Sequence, residues 1–572
     1  MSEKLDTNNH EWQEALQIIQ HTRRSLFLTG KAGTGKSTFL RYVAQHTSKR
    51  HVILAPTGIA AINAGGSTLH SFFRLPFHPL LPNDSQYSPR NIRKTLRYPS
   101  SHIKLLNELE LIIIDEISMV RADIIDFIDK VLRIYCHNMR EPFGGKQLLL
   151  VGDAFQLEPV LKEEDRRMLQ PHYASPYFFC AHIFEQMQLL SIELTKVYRQ
   201  TNDEFVKILD RIRNNSATPD DLQRLNSRVG AAHTVHSSNI SITLAARRDT
   251  VDYINERQLA TLEGDSVTFR GTIKGEFPET SLPTPMELEV KPGAQVIFVK
   301  NDQEKRWVNG TLGIIDCIDA DAGIITVIDE QGNEMDVERD VWENIRYRFN
   351  EKEQKIEEEQ LGLYTQFPLR LAWAITVHKS QGLTFRRVTI DFTGGAFAGG
   401  QTYVALSRCT SLEGISLSEP IRQQDIFVRA EVARFASLYN NRKMLDNAVK
   451  ESKADREYRE AMEAFDQHDF DRFLDRFFKA IHSRYDIEKP AARRLIRRKL
   501  GIINRLESEK QDLVDQRRKM EKTLKRLATE YVLLGKECEQ EGMTDAAIRN
   551  YQKALELYPD TPEAKRRLKR LS

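Results

Sequence analysis

A chain of 572 residues, 40% hydrophobic and 29% charged, has room for about three to five domains of roughly 100 to 200 residues each. It contains no run of about 18 apolar residues able to span a bilayer, and a net charge of +2 identifies no partner, because a near-neutral total can hide a basic groove. Its five cysteines (Cys136, Cys180, Cys317, Cys409, Cys538) are too scattered for a disulfide framework or a Cys-x-x-Cys metal site, so a reducing compartment is expected.

Residues 1–6 carry neither an apolar signal core nor an arginine-rich leader, so neither secretion nor organelle import is expected. Residues 26–28 read as a short buried strand and 38–44 as the opening of a helix. Between them Gly30-Lys31-Ala32-Gly33-Thr34-Gly35-Lys36-Ser37 fills every fixed position of the phosphate-cradling pattern G-x-x-x-x-G-K-[ST]. Its glycines admit phosphates to the backbone amides, Lys36 reaches the β and γ oxygens, and Ser37 offers a hydroxyl to Mg²⁺. A glycine turn before a structural helix is the plainer reading, and the complete match with correct flanks weighs against it.

From Ser25 to about Ile254, apolar runs at 52–54, 111–114, 148–151 and 242–244 alternate with helical patterns, the rhythm of a parallel sheet covered by helices. The pattern lapses between Pro76 and Ser101 into Pro, Asn, Ser and basic residues, which predicts an insertion projecting from the sheet. The run at 111–114 ends in Asp115-Glu116. Such a pair on its own is most often a helix-capping turn. Downstream of a P-loop it reads as a metal-holding Asp115 and a Glu116 that orients and deprotonates the attacking water. The run at 148–151 delivers Gly152-Asp153-Ala154-Phe155-Gln156-Leu157-Glu158-Pro159, where the neutral Gln156 can sense a γ-phosphate. His233 and His236 have metal-like spacing but no acidic or cysteine ligand nearby, and read as loop residues.

Between Gly293 and about Asp340 the signal turns to β, with turns at Asn309-Gly310 and Gln331-Gly332, and predicts a small inserted β-barrel. Runs at 388–392 and 415–417 return to α/β character and complete a second sheet. Beyond about Asn440 the chain is helical and charged, with a coiled-coil candidate at 490–527. Tyr531, Leu534, Gly535, Ala547, Tyr551, Ala554 and Pro559 then fall at the offsets of one tetratricopeptide unit. About three units are needed to bury a solenoid core, so this one is expected to pack on preceding helices or on a partner. A terminal helical hairpin without a ligand fits equally well.

Ala55-Pro56-Thr57-Gly58-Ile59-Ala60-Ala61, Leu69-His70-Ser71-Phe72-Phe73, Asp115-Glu116-Ile117-Ser118-Met119, Pro142-Phe143-Gly144-Gly145-Lys146-Gln147 and the Gly152 stretch resemble successive motifs of the Pif-type DNA helicases, in the B branch of helicase superfamily one. Leu194-Thr195-Lys196-Val197-Tyr198-Arg199-Gln200, Thr376-Val377-His378-Lys379-Ser380-Gln381-Gly382 and Tyr403-Val404-Ala405-Leu406-Ser407-Arg408 extend the resemblance in family order, from about Gln13 to Leu417. It implies an α/β fold of two RecA-like P-loop NTPase domains: 1–190 with a wedge at about 74–104, and 191–440 with the barrel at about 290–360. An all-α tail at 441–572, with its repeat-like unit at about 528–561, lies outside it.

The resemblance also implies ATP in the cleft between the domains. Gln13 takes the place of an adenine-reading glutamine, although Trp12 and Glu14 depart from the usual leader. Gly33, Thr34, Gly35, Lys36, Ser37, Thr38 and Gly382 would surround the nucleotide, Ser37 and Asp115 would hold Mg²⁺, and Lys36, Glu116, Gln156, Arg199 and Arg408 would act in hydrolysis. Arginines in that position contribute about 10³ to 10⁵ in rate; surface salt-bridging is their plainer reading. Thr57, His70, Ser71, His378, Lys379 and Ser380 offer donors to DNA phosphates without reading bases. Phe72 and Phe73 either stack on bases or belong to the core. Arg90, Arg93, Lys94 and Arg97 give the wedge a basic side towards a fork, or simply a solvated face.

The activity so implied is ATP-dependent 5′→3′ translocation on single-stranded DNA with duplex unwinding, in replication, repair or telomere and G-quadruplex maintenance. The direction rests on the resemblance alone. Implied partners are single-stranded, forked or structured DNA, a protein at the C-terminal helices, and no membrane; the expected setting is a bacterial cytoplasm, with a nucleus also compatible. Rival readings are a RecD-like motor subunit of a nuclease complex and a P-loop signalling ATPase with a scaffold tail. The second leaves 376–382 and 403–408 unexplained. An RNA track is not separated from DNA, since nothing visibly selects a 2′-OH.

Overall fold

A computed structural model describes residues 9–571 except 77, 201, 232–239, 351, 352, 354, 394, 397 and 485–489. The chain forms two compact units, 1–460 and 461–572. His233 and His236 lie outside the described residues.

The first sheet is built from β1 (Leu26–Gly30), β2 (His51–Ala55), β3 (Ser67–Thr68), β4 (Leu111–Ile114), β5 (Gln147–Val151) and β6 (Leu190–Leu194), in the order β3-β2-β4-β5-β1-β6. All pairings are parallel. Every residue of β1, β4 and β5 is buried, because helices cover both faces, and this is why these strands read as unbroken apolar runs. β5 lies between β4 and β1, with Ile113 opposite Leu149 and Phe27 opposite Leu150. The segments that follow these three strands therefore emerge side by side at the carboxyl edge of the sheet, the edge at which open α/β sheets take their ligands.

The insertion expected to project from this sheet is instead rooted in it. Leu75, Leu80, Tyr87, Ile92, Leu96 and Tyr98 are buried in one cluster with Phe27, Leu54 and Ile112. Arg90, Arg93, Lys94 and Arg97 stay exposed; Arg93 donates to the Ile134 carbonyl at 2.9 Å and lies 5.7 Å from the Tyr135 ring centre.

After the helix Asp203–Arg213 the chain enters the second sheet at β7 (Ile242–Ala245) and leaves it for a β-rich insertion. That insertion comprises β8 (Val267–Arg270), β9 (Thr272–Gly275), β10 (Glu287–Val290), β11 (Gln295–Phe298), β12 (Leu312–Asp319), β13 (Ile324–Asp329), β14 (Glu334–Val337), β15 (Asp340–Asn350), β16 (Lys355–Gln366) and β17 (Leu369–Leu371). It returns as β18 (Ala374–Thr376), β19 (Val388–Asp391) and β20 (Ile415–Leu417), giving a parallel sheet in the order β18-β7-β19-β20.

The insertion holds a five-stranded antiparallel sheet, β14-β13-β12-β11-β17, a β8–β10 pair and a three-stranded sheet, β15-β16-β9. It starts earlier and ends later than the sequence signal. In β15 and β16 the charges pair across strands, Arg346 opposite Glu359 and Arg348 opposite Glu357, so the hairpin reads as polar chain although such pairs stabilise it. Its Tyr347 and Phe349 reach the core of the first sheet, where the Tyr347 hydroxyl accepts the Ile53 amide at 3.3 Å.

In the second unit the helices Phe470–Arg484, Pro490–Gln540, Thr544–Leu557 and Pro562–Leu571 follow one another. Residues 504–523 are exposed throughout. Ala528, Val532, Ala547, Tyr551, Ala554 and Ala564 form a buried cluster. Gly535 passes so close to Tyr551 that a Cβ would stand 2.5 Å from the ring, so the repeat-like spacing marks the small residues at which the last helices approach.

Candidate active site

The loop after β1 turns through left-handed backbone at Gly33 (φ +80°) and Gly35 (φ +85°), and the helix Lys36–His46 starts directly from Gly35 with no side-chain cap. Uncapped first-turn amides and the helix dipole together favour an anion. Lys36 is folded back into the loop, its Nζ donating to the carbonyls of Gly30 at 2.6 Å and Lys31 at 2.9 Å. Burial lowers its pKa, while Asp153 and Glu116 act to keep it charged. Thr34 is buried, with its hydroxyl on the Lys31 carbonyl at 3.0 Å; Ser37 is exposed and Thr38 half-buried in the first helical turn. Gln13 is exposed on the helix His10–His21.

After β4, Glu116 holds a left-handed conformation (φ +48°) that side chains other than glycine rarely adopt, and its amide donates to Asp115 Oδ1 at 2.9 Å. Strain of this kind gathers at functional sites. Burial raises the pKa of both carboxyls; Lys36 and Arg408 pull Glu116 back towards the charged form. The Ser37 hydroxyl and the Asp115 carboxylate are hard oxygen donors of the kind Mg²⁺ takes. Among the described residues no group of three or more His, Cys, Asp or Glu is placed to hold a metal.

After β5, the Gln156 amide closes a turn on the Asp153 carbonyl at 2.9 Å, and Gln156 is buried. Gly400 lies against this turn, where a Cβ would stand 2.3 Å from the Phe155 carbonyl oxygen. The helix Gln401–Leu406 that follows carries Tyr403, whose hydroxyl accepts the Ala32 amide at 3.0 Å. Arg408 comes next, 2% exposed, with Nε on the Val404 carbonyl at 3.0 Å and Nη1 on the Ser380 carbonyl at 3.2 Å. Burial, and then neighbouring Arg199, bring its pKa down to about 9. Arg199 sits on the P-loop itself: a Cβ on Gly33 would stand 2.4 Å from the Arg199 Cβ. Its Nη1 donates to the Ser407 carbonyl at 3.5 Å. Arg408 is not on the surface, and both arginines act electrostatically on the buried Glu116 carboxyl. The site thus gathers Lys36, Glu116, Arg199 and Arg408, with Gln156 on the turn packed against Gly400.

Beside it lies a groove of about 340 Å³ lined by Ile59, Asn63, Asn255, Asn309, Lys379 and Gln381, among others. Lys379, Thr57 and Ser71 are exposed; the Thr57 hydroxyl also caps the helix Gly58–Ala64 by accepting the Ala60 amide at 3.2 Å. His70 and His378 are half-buried, and burial lowers both pKa values and favours neutral rings. Gly382 (φ +77°) faces open space.

Two expectations are corrected. Phe72 is 4% exposed and packs edge-on against Phe73 (4.9 Å between centres) and His102 (5.3 Å), so its ring belongs to the core and is not available to a base. Ser380 is fully buried with its hydroxyl on the Val377 carbonyl at 2.7 Å; it serves Arg408 through its own carbonyl and presents nothing to a phosphate. Asp153 and Arg213, a buried pair beneath Gln156, were missed. Asp153 stands inside a motif whose glutamine drew attention, and a lone arginine ending an amphipathic helix gives no signal.

The family description "PIF1-like helicase" matches residues 6–221. The chain is 31% identical over 413 residues to the ATP-dependent DNA helicase Pif1 of Bdellovibrio bacteriovorus, covering 71% of this chain and 87% of that protein. It is 33% identical over 415 residues to the Mus musculus ATP-dependent DNA helicase PIF1, covering 71% of this chain but only 59% of the mouse protein. Among solved structures, Bacteroides sp Pif1 in complex with ADP-AlF4 is 40% identical with a TM-score of 0.69, covering 76% of this chain and 97% of that one. Bacteroides Pif1 bound to ssDNA aligns with a TM-score of 0.56 at 40% identity, over 76% of this chain and 97% of that one.

Proposed function

The chain belongs to the PIF1-like helicase family, and from that premise we propose that it is an ATP- and Mg²⁺-dependent motor that moves 5′→3′ along single-stranded DNA and unwinds duplex ahead of it. The observation that carries the reading is the seating of Arg199 against the P-loop and of both Arg199 and Arg408 where they act on the buried Glu116 carboxyl. A nucleotide there would have Lys36 at its phosphates and Glu116 to orient and deprotonate water. The two arginines would then stabilise charge on the transferred group. Gln156, whose turn lies against Gly400, would report whether that group is present. Mg²⁺, held by Ser37 and Asp115, would neutralise phosphate charge.

Strand binding would fall to Thr57, His70, Ser71, His378 and Lys379, which offer donors and one fixed cation and read no base; of these Lys379 lines the groove. Separating DNA costs a mean of about 1.4 kcal/mol per base-pair step, and aromatic stacking returns about 1 to 3 kcal/mol per base where it occurs. With Phe72 and Phe73 both buried, that return is not available from them. Net unwinding therefore leans on domain closure and opening in the ATP cycle, each half gripping the strand in turn. The solved Bacteroides relatives bound to ssDNA and at forked dsDNA support the same class of partner, and the five free cysteines suit a reducing cytoplasm. Among the described residues no helix is long and apolar enough to cross a membrane.

The test is unwinding of duplexes carrying a 5′ or a 3′ single-stranded tail, of DNA or RNA, with and without ATP. ATP-dependent opening of the 5′-tailed DNA duplex is expected. Opening only from a 3′ tail would reverse the direction, and nucleotide turnover indifferent to DNA would restore the signalling ATPase.

A further inference from the structure

The helix Asp203–Arg213 packs Phe205, Ile208, Leu209 and Ile212 with residues of the second sheet, yet its last residue is buried against the first. Arg213 is 3% exposed. Its Nη2 lies 2.9 Å from Asp153 Oδ1 and its Nε 3.2 Å from Oδ2, a two-pronged pairing with a carboxylate that is itself wholly buried. Nη2 also stands 3.0 Å from Glu193 Oε1 on β6, and the guanidinium carbon lies 4.2 Å from the centre of the Phe155 ring. Asp153 in turn accepts the Phe155 amide at 3.1 Å and the Gln156 amide at 2.9 Å, through its side chain and its carbonyl respectively. One side chain of the second-sheet helix thus holds Asp153 and Phe155 of the turn that presents Gln156.

Anchoring is a poor account of this arrangement. Buried ion pairs are desolvated at a cost that an apolar pair of similar volume avoids, and four apolar residues already anchor the helix. A bidentate guanidinium–carboxylate pair does fix direction as well as distance, and a stacked ring adds a third constraint. Asp153 is also among the charges that favour the Lys36 ammonium, so the same carboxylate faces the P-loop and the helix.

We propose that Arg213 is a positioning residue for ATP hydrolysis: through Asp153 and Phe155 it ties the Gln156 turn to the helix Asp203–Arg213, so that movement of the second sheet reaches the phosphate end of the nucleotide site. The assignment rests on the helicase reading above. Arg211, two residues earlier, supplies the comparison. It makes a bidentate pair with Asp221, but on the solvent side of the same helix, with 38% of its side chain exposed.

The experiment measures ATP turnover of the full chain with and without oligo-dT, together with the KM for ATP and oligo-dT affinity by anisotropy, for wild type, Arg213→Lys, Asp153→Asn and Arg211→Met. Arg213→Lys keeps the charge and loses the fork; Asp153→Asn keeps the shape and loses the charge. The DNA-stimulated kcat should fall about 10- to 100-fold in both, the range for a group that positions another. KM and DNA affinity should stay within about threefold, and Arg211→Met should match wild type. A folded Arg213→Lys or Asp153→Asn with kcat within twofold of wild type, or a loss carried by KM alone, overturns the proposal. If wild type itself ignores DNA, the helicase reading fails, while the unstimulated kcat of the same variants still decides the role of Arg213.

Discussion

Replacing Gly33 with alanine separates backbone strain from displacement of Arg199, the arginine proposed to act in hydrolysis. Gly33 has φ +80°, and an added Cβ would stand 2.4 Å from the Arg199 Cβ and 3.2 Å from its amide nitrogen. Those atoms cannot swing away as a side-chain tip would. Ordinary contact begins near 3.4 Å, so the segment carrying Arg199 must retreat by about 1 Å. A misplacement of about 1 Å can lose about 10² in rate, about 2.7 kcal/mol at 1.36 kcal/mol per factor of ten. Gly65 has φ +69° with nothing within 4 Å, so Gly65→Ala pays only the left-handed conformation, about 1–2 kcal/mol of stability. Steady-state hydrolysis at saturating ATP and oligo-dT, with binding of a fluorescent ATP analogue measured separately, should show kcat about 10²-fold lower in Gly33→Ala and unchanged in Gly65→Ala. In an Arg199→Ala background the further loss from Gly33→Ala should be small, because the displaced group is already gone. Equal losses in the two glycine variants, or full additivity with Arg199→Ala, would show that Gly33 does not act through Arg199.

Phe72→Ala should lower stability by about 3–5 kcal/mol, as for other buried phenylalanines, while the gentler Phe72→Leu should fold and bind oligo-dT within threefold of wild type; weaker binding by folded Phe72→Leu would return the ring to the strand. Gly535→Ala forces a Cβ to within 2.5 Å of the Tyr551 ring and should cost the tail about 1–3 kcal/mol by overpacking, seen as faster proteolysis beyond residue 461 with ATP turnover unaltered; unchanged proteolysis would refute the close approach. His102 is held at about 4, first by burial and then by Arg74. The unfolded chain takes up that proton near 6.5, so stability present above pH 6.5 is lost as pH falls towards 4, by at most roughly 3.5 kcal/mol at about 1.4 kcal/mol per unit. Urea midpoints at pH 7 and 4.5 should converge in His102→Gln, and an unchanged gap would assign the loss to other groups.

The parts of this fold that could be read from sequence are those whose reason for being there is local. β1, β4 and β5 are buried on both faces, so their apolar runs are unbroken, and the residues beyond their carboxyl ends could be placed together. The insertion at 76–101 could not be read as rooted, because Leu80, Tyr87, Ile92 and Leu96 enter the core singly from a polar background. Nor could the face of Phe72 be assigned, since the helix Leu69–Phe73 is five residues long and offers too little periodicity. Ser380 looked like a phosphate donor by residue type alone; only the fold shows its hydroxyl turned onto Val377.

What closes the site was hidden for a different reason, and it changes the meaning of the P-loop. The pattern G-x-x-x-x-G-K-[ST] names the positions that meet phosphate and leaves the others free. In this chain three of the free positions hold the far side of the cleft. Lys31 is paired with Asp210 at 2.5 Å, the Ala32 amide donates to Tyr403 at 3.0 Å, and Gly33 seats Arg199. Their partners lie more than 160 residues away along the chain, beyond the reach of any local periodicity. A glycine at position 33 is demanded here by an arginine as much as by a phosphate. On the function proposed here the loop has two working faces: Lys36 and Ser37 for the nucleotide, and Lys31, Ala32 and Gly33 against Asp210, Tyr403 and Arg199.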